Sequence, residues 1–542
     1  MAPVNLIRCL IRFSPLGAIA QKDSMILKMA LRNSHLTRYL QCHYGAAMKR
    51  APSGLAPIIQ VQKEASNSLY RQVYEGYRRA IVDGSLRPGQ RVPSTRVLAL
   101  ELGISRMPVL NAYAQLLAEG YFEGRVGSGT VVSKSLPERM GKMEPATARS
   151  KGLDQERRRV SKRCSTLASA EGFYRSRGMG PFNLSQIGFD YFPLPLWNSL
   201  VTRHARNVQA KSLDYGDPMG LRELREKIAE YLRIARGVRC DPRQILIVSG
   251  SQQGLEITTR VLLDPGDQVW MEEPGYRFAR SVFAGAGCVV VPVRVDAEGL
   301  NVAAGAKQSG GARAVLVTPS HQNPLGVTMS ASRRLQLLDW AESNGSWIIE
   351  DDYDSEYRYE GMPVTSLQGL DRNSRVVYIG TFSKVLFPSL RLGYVVIPED
   401  LVERFLAARF ALDIGPPTFH QAVLADFIGE GHFARHIRRM RLIYAERRNA
   451  LIENLQHHFG SALEVTGAEA GMHLSVVLNG IRDREISLRA AQENLWLAPL
   501  SYFYLGKAVQ QGFILGFGST PVQQMPAAVR QLRTLVRSRN VA

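Results

Sequence analysis

Between about Pro181 and the C-terminus, short β-rich runs alternate with helical patterns, and no other feature limits the possible folds as tightly. The runs are Gln244–Val248, Gln268–Met271, Cys288–Val293, Ala314–Thr318, Ser346–Glu350, Val376–Ile379 and Tyr394–Ile397. Such alternation calls for a parallel or mixed α/β sheet with helices on both faces. Apolar stretches such as Ile245–Val248 and Ala314–Val317 are short and bounded by turn residues, which suits buried strands and falls well short of a membrane span. With 542 residues the chain is too long for one ordinary core, so two or three domains are expected. Hydrophobic residues make up 45% and charged residues 21%, which is a soluble globular composition. Five scattered cysteines (Cys9, Cys42, Cys164, Cys240, Cys288) form no CxxC pair. That argues against zinc fingers and disulfide frameworks, and for a reducing, cytoplasmic compartment; no metal site is expected.

A smaller basic block precedes this region. Residues 1–133 hold 17 Lys and Arg against 7 Asp and Glu, about half of the chain's net charge of +20. Local positive charge of this kind suits a polyanion such as DNA. Ser68–Asp83 reads as a helix with Ser68 as N-cap and Leu69, Val73, Tyr77 and Ile81 on one stripe. Ser94 caps a second helix, Thr95–Leu102, which Gly103 ends. Ser105 caps a third, running to about Glu119, with Val109, Tyr113, Leu116 and Leu117 facing inward; Pro108 falls in its first turn, where a missing N–H costs little. Tyr121–Val132 follows as a β-hairpin whose glycines allow close approach to a phosphate backbone. Helix, glycine-containing turn, helix is the geometry that lays the second helix in a major groove.

The segment PGQRVPSTRVLALELGISRMPVLNAYAQLLAEGYFEGRVGSGTVV resembles the GntR family of winged-helix regulators, in the family's order and spacing of cap, turn, recognition helix and wing. The resemblance implies a winged helix-turn-helix DNA-binding domain over residues 66–133. It implies DNA contacts from Arg91, Ser94, Thr95, Arg96, Ser105, Arg106 and Asn111, with Arg125 and Gly127 in the wing. Ser94 and Ser105 serve equally well as plain helix caps. Residues 134–180 are polar and mostly basic, with Arg157, Arg158, Arg159, Lys162 and Arg163, and read as a linker. Residues 1–65 read as a flexible extension. Arg8 and Arg12 among apolar residues loosely mimic a targeting peptide, without a clean apolar core and cleavage site; Met48 is an alternative start.

In the large block, Tyr378–Gly393 reads YIGTFSKVLFPSLRLG. A lysine at a strand end, among small hydroxyl residues and followed by an arginine, is what an aldehyde cofactor with a phosphate needs. Ser346–Asp354 is a buried strand delivering carboxylates at its C-terminal end, where ligands of open α/β sheets sit. A carboxylate there keeps a pyridine nitrogen protonated, although acidic strand ends also bind metals or cap helices. Ser249-Gly-Ser-Gln-Gln253 follows a strand and opens a helix, a cradle for phosphate. Glu273-Pro-Gly-Tyr-Arg277 offers a ring to stack, and Thr318–Gly326 an amide for a phenolic oxygen.

From about Tyr215 to the C-terminus these motifs resemble fold-type I, class I/II aminotransferases. The resemblance implies a pyridoxal 5'-phosphate (PLP) domain over residues 181–542, with a mixed seven-stranded sheet and large and small lobes. Lys384 would form the Schiff base, and Asp351 would face the pyridine nitrogen with Asp352 as a fallback. Tyr353 and Asn323 would hold the ring hydroxyl and Tyr276 would stack. Ser251, Gln252, Thr381, Ser383 and Arg391 would bind phosphate. Tyr215, in DYGDPMG, would reach the phosphate of a neighbouring subunit, which implies a homodimer. The two halves in this order resemble the MocR subfamily of GntR regulators. That implies a PLP-dependent transcription regulator of double-stranded promoter DNA, a head-to-tail dimer responding to PLP itself or to an amine or amino acid.

Transaminases of this type grip the substrate carboxylate with a C-terminal arginine. The corresponding stretch, Gln511–Gly518, has none; Arg277 or His473 are the substitutes on offer, and His473 reads more readily as structural. Efficient transamination is therefore not expected. Two further readings stay open: an active PLP-dependent aminotransferase with a DNA-binding appendage, and a DNA-bending architectural protein whose large domain only dimerises.

Overall fold

The computed structural model describes residues 59–62, 67–125, 129–134, 161, 178, 180–184, 186–209, 213–361, 364–478 and 480–538. Met48, most of the N-terminal extension, most of the basic linker and Gly127 lie outside the described residues. Contacts divide the chain between Arg158 and Arg159 into two units.

Among the described residues the smaller unit has three helices, α1 (Leu69–Val82), α2 (Thr95–Glu101) and α3 (Arg106–Ala118), then strands β1 (Phe122–Arg125) and β2 (Gly129–Val132). α1 turns Val73, Tyr77, Ala80 and Ile81 inward, while Leu69, at its first residue, is only partly buried. α3 buries Val109, Ala112, Tyr113 and Leu116. Leu117, placed on that stripe by the sequence pattern, is instead 41% exposed. A step of about 100° past Leu116 carries it off the buried face. The core closes on the rings of Tyr77, Tyr113 and Phe122, which meet edge-on with centroids 5.1 to 5.5 Å apart. The Tyr113 hydroxyl donates to the Pro93 carbonyl at 2.9 Å. Gly103 takes φ +61 at the turn into α3, a conformation that glycine adopts without a Cβ penalty. β1 and β2 pair antiparallel from Phe122 opposite Val132 to Arg125 opposite Gly129. The segment before α2 joins this wing, with the Val92 N–H donating to the Thr130 carbonyl at 3.0 Å.

The larger unit is built on a mixed sheet of β3 (Ile245–Val248), β4 (Gln268–Glu273), β5 (Val289–Asp296), β6 (Gly299–Leu300), β7 (Ala314–Val317), β8 (Trp347–Asp352), β9 (Val376–Thr381) and β10 (Gly393–Val396). Their order is β3-β10-β9-β8-β7-β4-β5-β6. β5, β4, β7, β8 and β9 run parallel, β10 runs antiparallel between β9 and β3, and β6 returns antiparallel on β5. All seven apolar runs of the sequence lie in this sheet. Its eighth strand is a correction to the expected seven: the chain turns at Ala297 and Glu298 and pairs Leu300 with Val295, a piece too short to leave an apolar run.

Both faces are covered, as the apolar runs require. Leu246, Val269, Ile349, Val377 and Ile379 pack with Leu255 and Phe283 of helices α4 (Ser251–Leu262) and α5 (Arg277–Ala286). On the opposite face Trp270, Val315 and Ile348 pack with Leu337 and Trp340 of α6 (Ala331–Asn344), the two indoles stacking at 3.9 Å. After the long helix α7 (His432–Phe459) comes a four-stranded antiparallel sheet. Its strands are β11 (Glu464–Thr466), β12 (His473–Val477), β13 (Ala498–Pro499) and β14 (Gly512–Gly516), ordered β11-β12-β14-β13.

Candidate cofactor site and DNA-reading surface

The C-terminal ends of β3, β8 and β9 deliver the chemistry, at the edge where open α/β sheets bind ligands. β9 ends at Thr381, and three residues later Lys384 donates from Nζ to the Leu184 carbonyl at 3.3 Å. Burial holds this amine below the ordinary lysine range, with the Asp354 charge opposing. An amine so placed is more readily the neutral nucleophile that an aldehyde requires.

β8 ends on two carboxylates that point to opposite faces, because successive strand side chains alternate. Asp352 accepts from Arg236 Nε at 2.9 Å and from the Tyr378 hydroxyl. One of its oxygens has no partner, yet its charge is already compensated by Arg236 at 2.8 Å. Asp352 is therefore a structural ion-pair partner, which corrects its fallback role. Among the described residues no cation pairs with Asp351. Its Oδ1 is buried without a partner, and burial first, then the charges of Asp352, Glu272 and Asp354, push its carboxyl up to about 7. A buried carboxylate in that state is costly unless a donor arrives opposite it.

Asn323 stands close enough to Tyr353 to act on its phenol, and the Tyr353 hydroxyl lies 3.1 Å from His321 Nδ1. Asn323 Oδ1 is a second buried acceptor with no partner. Behind this pair, His321 Nδ1 lies 3.1 Å from the Asp354 carboxylate, both side chains being almost fully buried. Glu272 shapes the loop that carries Asn323, accepting from Thr318 Oγ1 at 2.6 Å and Gln322 Nε2 at 3.2 Å. His473 is held down to about 3, chiefly by burial and then by His321, and its Nε2 lies 3.1 Å from the Pro324 carbonyl. A neutral ring so committed cannot grip a carboxylate. Arg277 lies 5.3 Å from the Tyr502 ring and 5.4 Å from the Phe278 ring.

On the phosphate side, Gly250 takes φ +114 and N-caps α4. A Cβ there would lie 3.4 Å from the Arg391 guanidinium. Ser251 begins α4 at the positive end of its dipole. Thr381 Oγ1 and Ser383 Oγ lie 3.1 Å apart. Gln252 gives an amide donor to the Tyr276 hydroxyl at 2.9 Å, so it links the ring to the helix. Tyr276 stands close enough to Asp351 and Arg391 for both charges to act on it. Tyr215 is 81% exposed and is not brought to this cluster within one chain. An amine, an unpaired acceptor and a cradle of helix start and guanidinium thus match the aldehyde, ring nitrogen and phosphate of PLP. The donor set fits the cofactor.

In the smaller unit, Arg91, Ser94, Arg96, Ser105, Arg106 and Asn111 are exposed. Arg106 Nε donates to Thr95 Oγ1 at 3.2 Å, tying the starts of α2 and α3 together. Ser94 Oγ accepts from the Val97 N–H at 3.4 Å and acts as a cap, whereas Ser105 makes no capping bond. The Arg91 guanidinium lies over the wing, 3.2 Å from where a Cβ on Gly129 would sit. Arg125 ends β1. Sequence reasoning passed over Glu272, His321 and Arg236. His321 and Asp354 lie inside the Thr318–Gly326 and Ser346–Asp354 motifs, but their pairing across 33 residues leaves no local signal.

The model of bacterial regulatory proteins of the gntR family matches residues 69–132, and that of aminotransferase class I and II matches residues 189–519. The chain is 38% identical over 478 residues to the probable rhizopine catabolism regulatory protein MocR of Rhizobium meliloti, covering 88% of this chain and 95% of that one. This chain belongs to the MocR subfamily of GntR-family regulators. It is also 31% identical over 461 residues to the pyridoxine biosynthesis transcriptional regulator PdxR of Corynebacterium glutamicum, covering 85% of this chain and 94% of that one. Among solved structures, a Pyrococcus horikoshii kynurenine aminotransferase matches with TM-score 0.65 and 28% identity, over 71% of this chain and 98% of that one. As a MocR-type chain it is a DNA-binding transcription regulator whose larger unit is a PLP-binding domain of aminotransferase fold. Among the described residues no helix is long and apolar enough to cross a membrane.

Proposed function

We propose that the larger unit is a sensor rather than an efficient enzyme. Its effector is PLP itself or a small amine or amino acid meeting the bound cofactor, and operator affinity changes with occupancy. One observation carries this reading: the amine, ring-nitrogen acceptor and phosphate cradle converge on one site, yet Gln511–Gly518, which includes β14, carries no arginine. The neutral state of His473 removes one substitute for that missing clamp.

In this reading Lys384 would hold the cofactor through its aldehyde, and Asp351 would face the ring nitrogen and favour its protonated form. Tyr353 and Asn323 would hold the ring hydroxyl, with His321 and Asp354 fixing Tyr353 from behind. Tyr276 would lie against the ring, while Ser251, Gln252, Thr381, Ser383 and Arg391 would hold the phosphate. When bound, PLP supplies an electron-accepting ring and an aldehyde reactive toward amines. Tyr215 completes the site of a second copy in a head-to-tail homodimer. Residues 66–133 form the DNA-binding domain, 134–180 a linker and 181–542 the sensor, acting in the cytoplasm on promoter DNA. Arg91, Ser94, Thr95, Arg96, Ser105, Arg106, Asn111, Arg125 and Gly127 make the DNA contacts.

The test uses the purified full chain with DNA from upstream of its own gene and random DNA of equal length, with and without PLP. Preference for the upstream DNA is expected, and no preference under either condition overturns the reading. Because the depressed Lys384 amine also suits an active aminotransferase, the same preparation is offered an amino donor and a keto acid. Steady turnover of order 1 per second or more would establish the enzyme instead.

A further inference from the structure

The outward side of α3 is unusually apolar for a helix in a basic unit. Met107 is 60% exposed and Leu110 39% exposed, and Asn111 and Ala114 are exposed at the same helical spacing. Positions 107, 110, 111 and 114 fall on one face. The other face buries Val109, Ala112, Tyr113 and Leu116, so α3 is apolar on both sides, a pattern that ordinarily means a helix covered all round. No acidic residue occurs from Arg106 to Ala118, and Arg91, Arg96 and Arg106 are exposed. That charge commits the occupant to a polyanion, which is duplex DNA on the reading above, on which this inference rests.

On the base edges of a major groove the one apolar group is the C5-methyl of thymine, and the adenine it pairs with offers N6 and N7 to an Asn side chain. We infer that Met107 and Leu110 read thymine methyls while Asn111 reads adenine, so that the operator half-site under α3 is built on A·T pairs. Burying one methyl group corresponds to about fourfold in affinity.

The experiment uses the full-length protein with PLP to select duplexes from a random-sequence pool. The selected duplex is then resynthesised with deoxyuridine replacing thymidine at one position at a time, which removes a methyl and keeps the pairing. Affinity is expected to fall about fourfold at the positions under α3. Met107→Ala and Leu110→Ala, both at exposed sites and checked for an unchanged melting temperature, are each expected to abolish the penalty at their own position. A selected consensus that is indifferent to deoxyuridine throughout overturns the inference, as does an undiminished penalty in both variants. Failure to select any consensus overturns the DNA-reading function itself, and the inference with it.

Discussion

Replacing Asp351 by Asn should stabilise the cofactor-free protein while destroying its affinity for PLP. Asp351 is 7% exposed, no cation pairs with it among the described residues, and its carboxyl is pushed from an ordinary 3.8 up to about 7. Below about pH 4 it is protonated in both folded and unfolded chains. Between there and about pH 7 the folded chain keeps a proton that the unfolded chain has released, so stability falls as pH rises through that window. The full displacement corresponds to a ceiling of roughly 4 kcal/mol above pH 7. Asn removes both the burial cost of the charge and its repulsion by Asp352, Glu272 and Asp354, but it leaves a buried amide whose own desolvation offsets much of that, so the substitution should recover about 1–2 kcal/mol. Asn is nearly isosteric and carries no charge. Thermal unfolding without cofactor should therefore show the variant melting a few degrees above the wild type at pH 8, with the gap closing toward pH 4. Excess PLP should raise the wild-type melting temperature by ligand linkage and leave the variant's unmoved. A variant that melts below the wild type at pH 8, or that PLP still stabilises, refutes the reasoning.

Two more outcomes are expected from the smaller unit. Tyr113→Phe removes a hydroxyl bonded to the Pro93 carbonyl at 2.9 Å and the Tyr77 hydroxyl at 3.1 Å, so urea denaturation should show a loss of about 1–2 kcal/mol; an unchanged midpoint would count against that network. Arg106→Ala should weaken binding across DNA sequences alike and reduce the slope of log affinity against log salt by about 1, and an unchanged slope would remove Arg106 from the phosphate contacts.

The sheet was legible because its strands are buried on both faces and so leave continuous apolar runs, Ile245–Val248 and Val376–Ile379 among them. β6 was not, since two residues at a sheet edge leave no periodicity. The site was legible as far as its motifs are local: Lys384 follows a strand end among hydroxyls, and Ser251 opens a helix after a glycine. The choice between Asp351 and Asp352 was not, because it depends on Arg236, which meets Asp352 from 116 residues away. Alternation along β8 does place the two carboxylates on opposite faces, but only the fold tells which face already holds a cation. Leu117 shows the same limit at small scale, where an apolar residue next to a buried one was credited to the wrong face.

The central claim is that occupancy at Lys384 is felt at the DNA, and it is measured most directly by titrating PLP into cofactor-free protein held with its selected operator duplex. For the wild type, operator affinity should change by about fivefold or more in step with the growth of visible absorbance, and Lys384→Ala should show neither change. A wild type whose absorbance grows while its operator affinity stays constant would contradict the account.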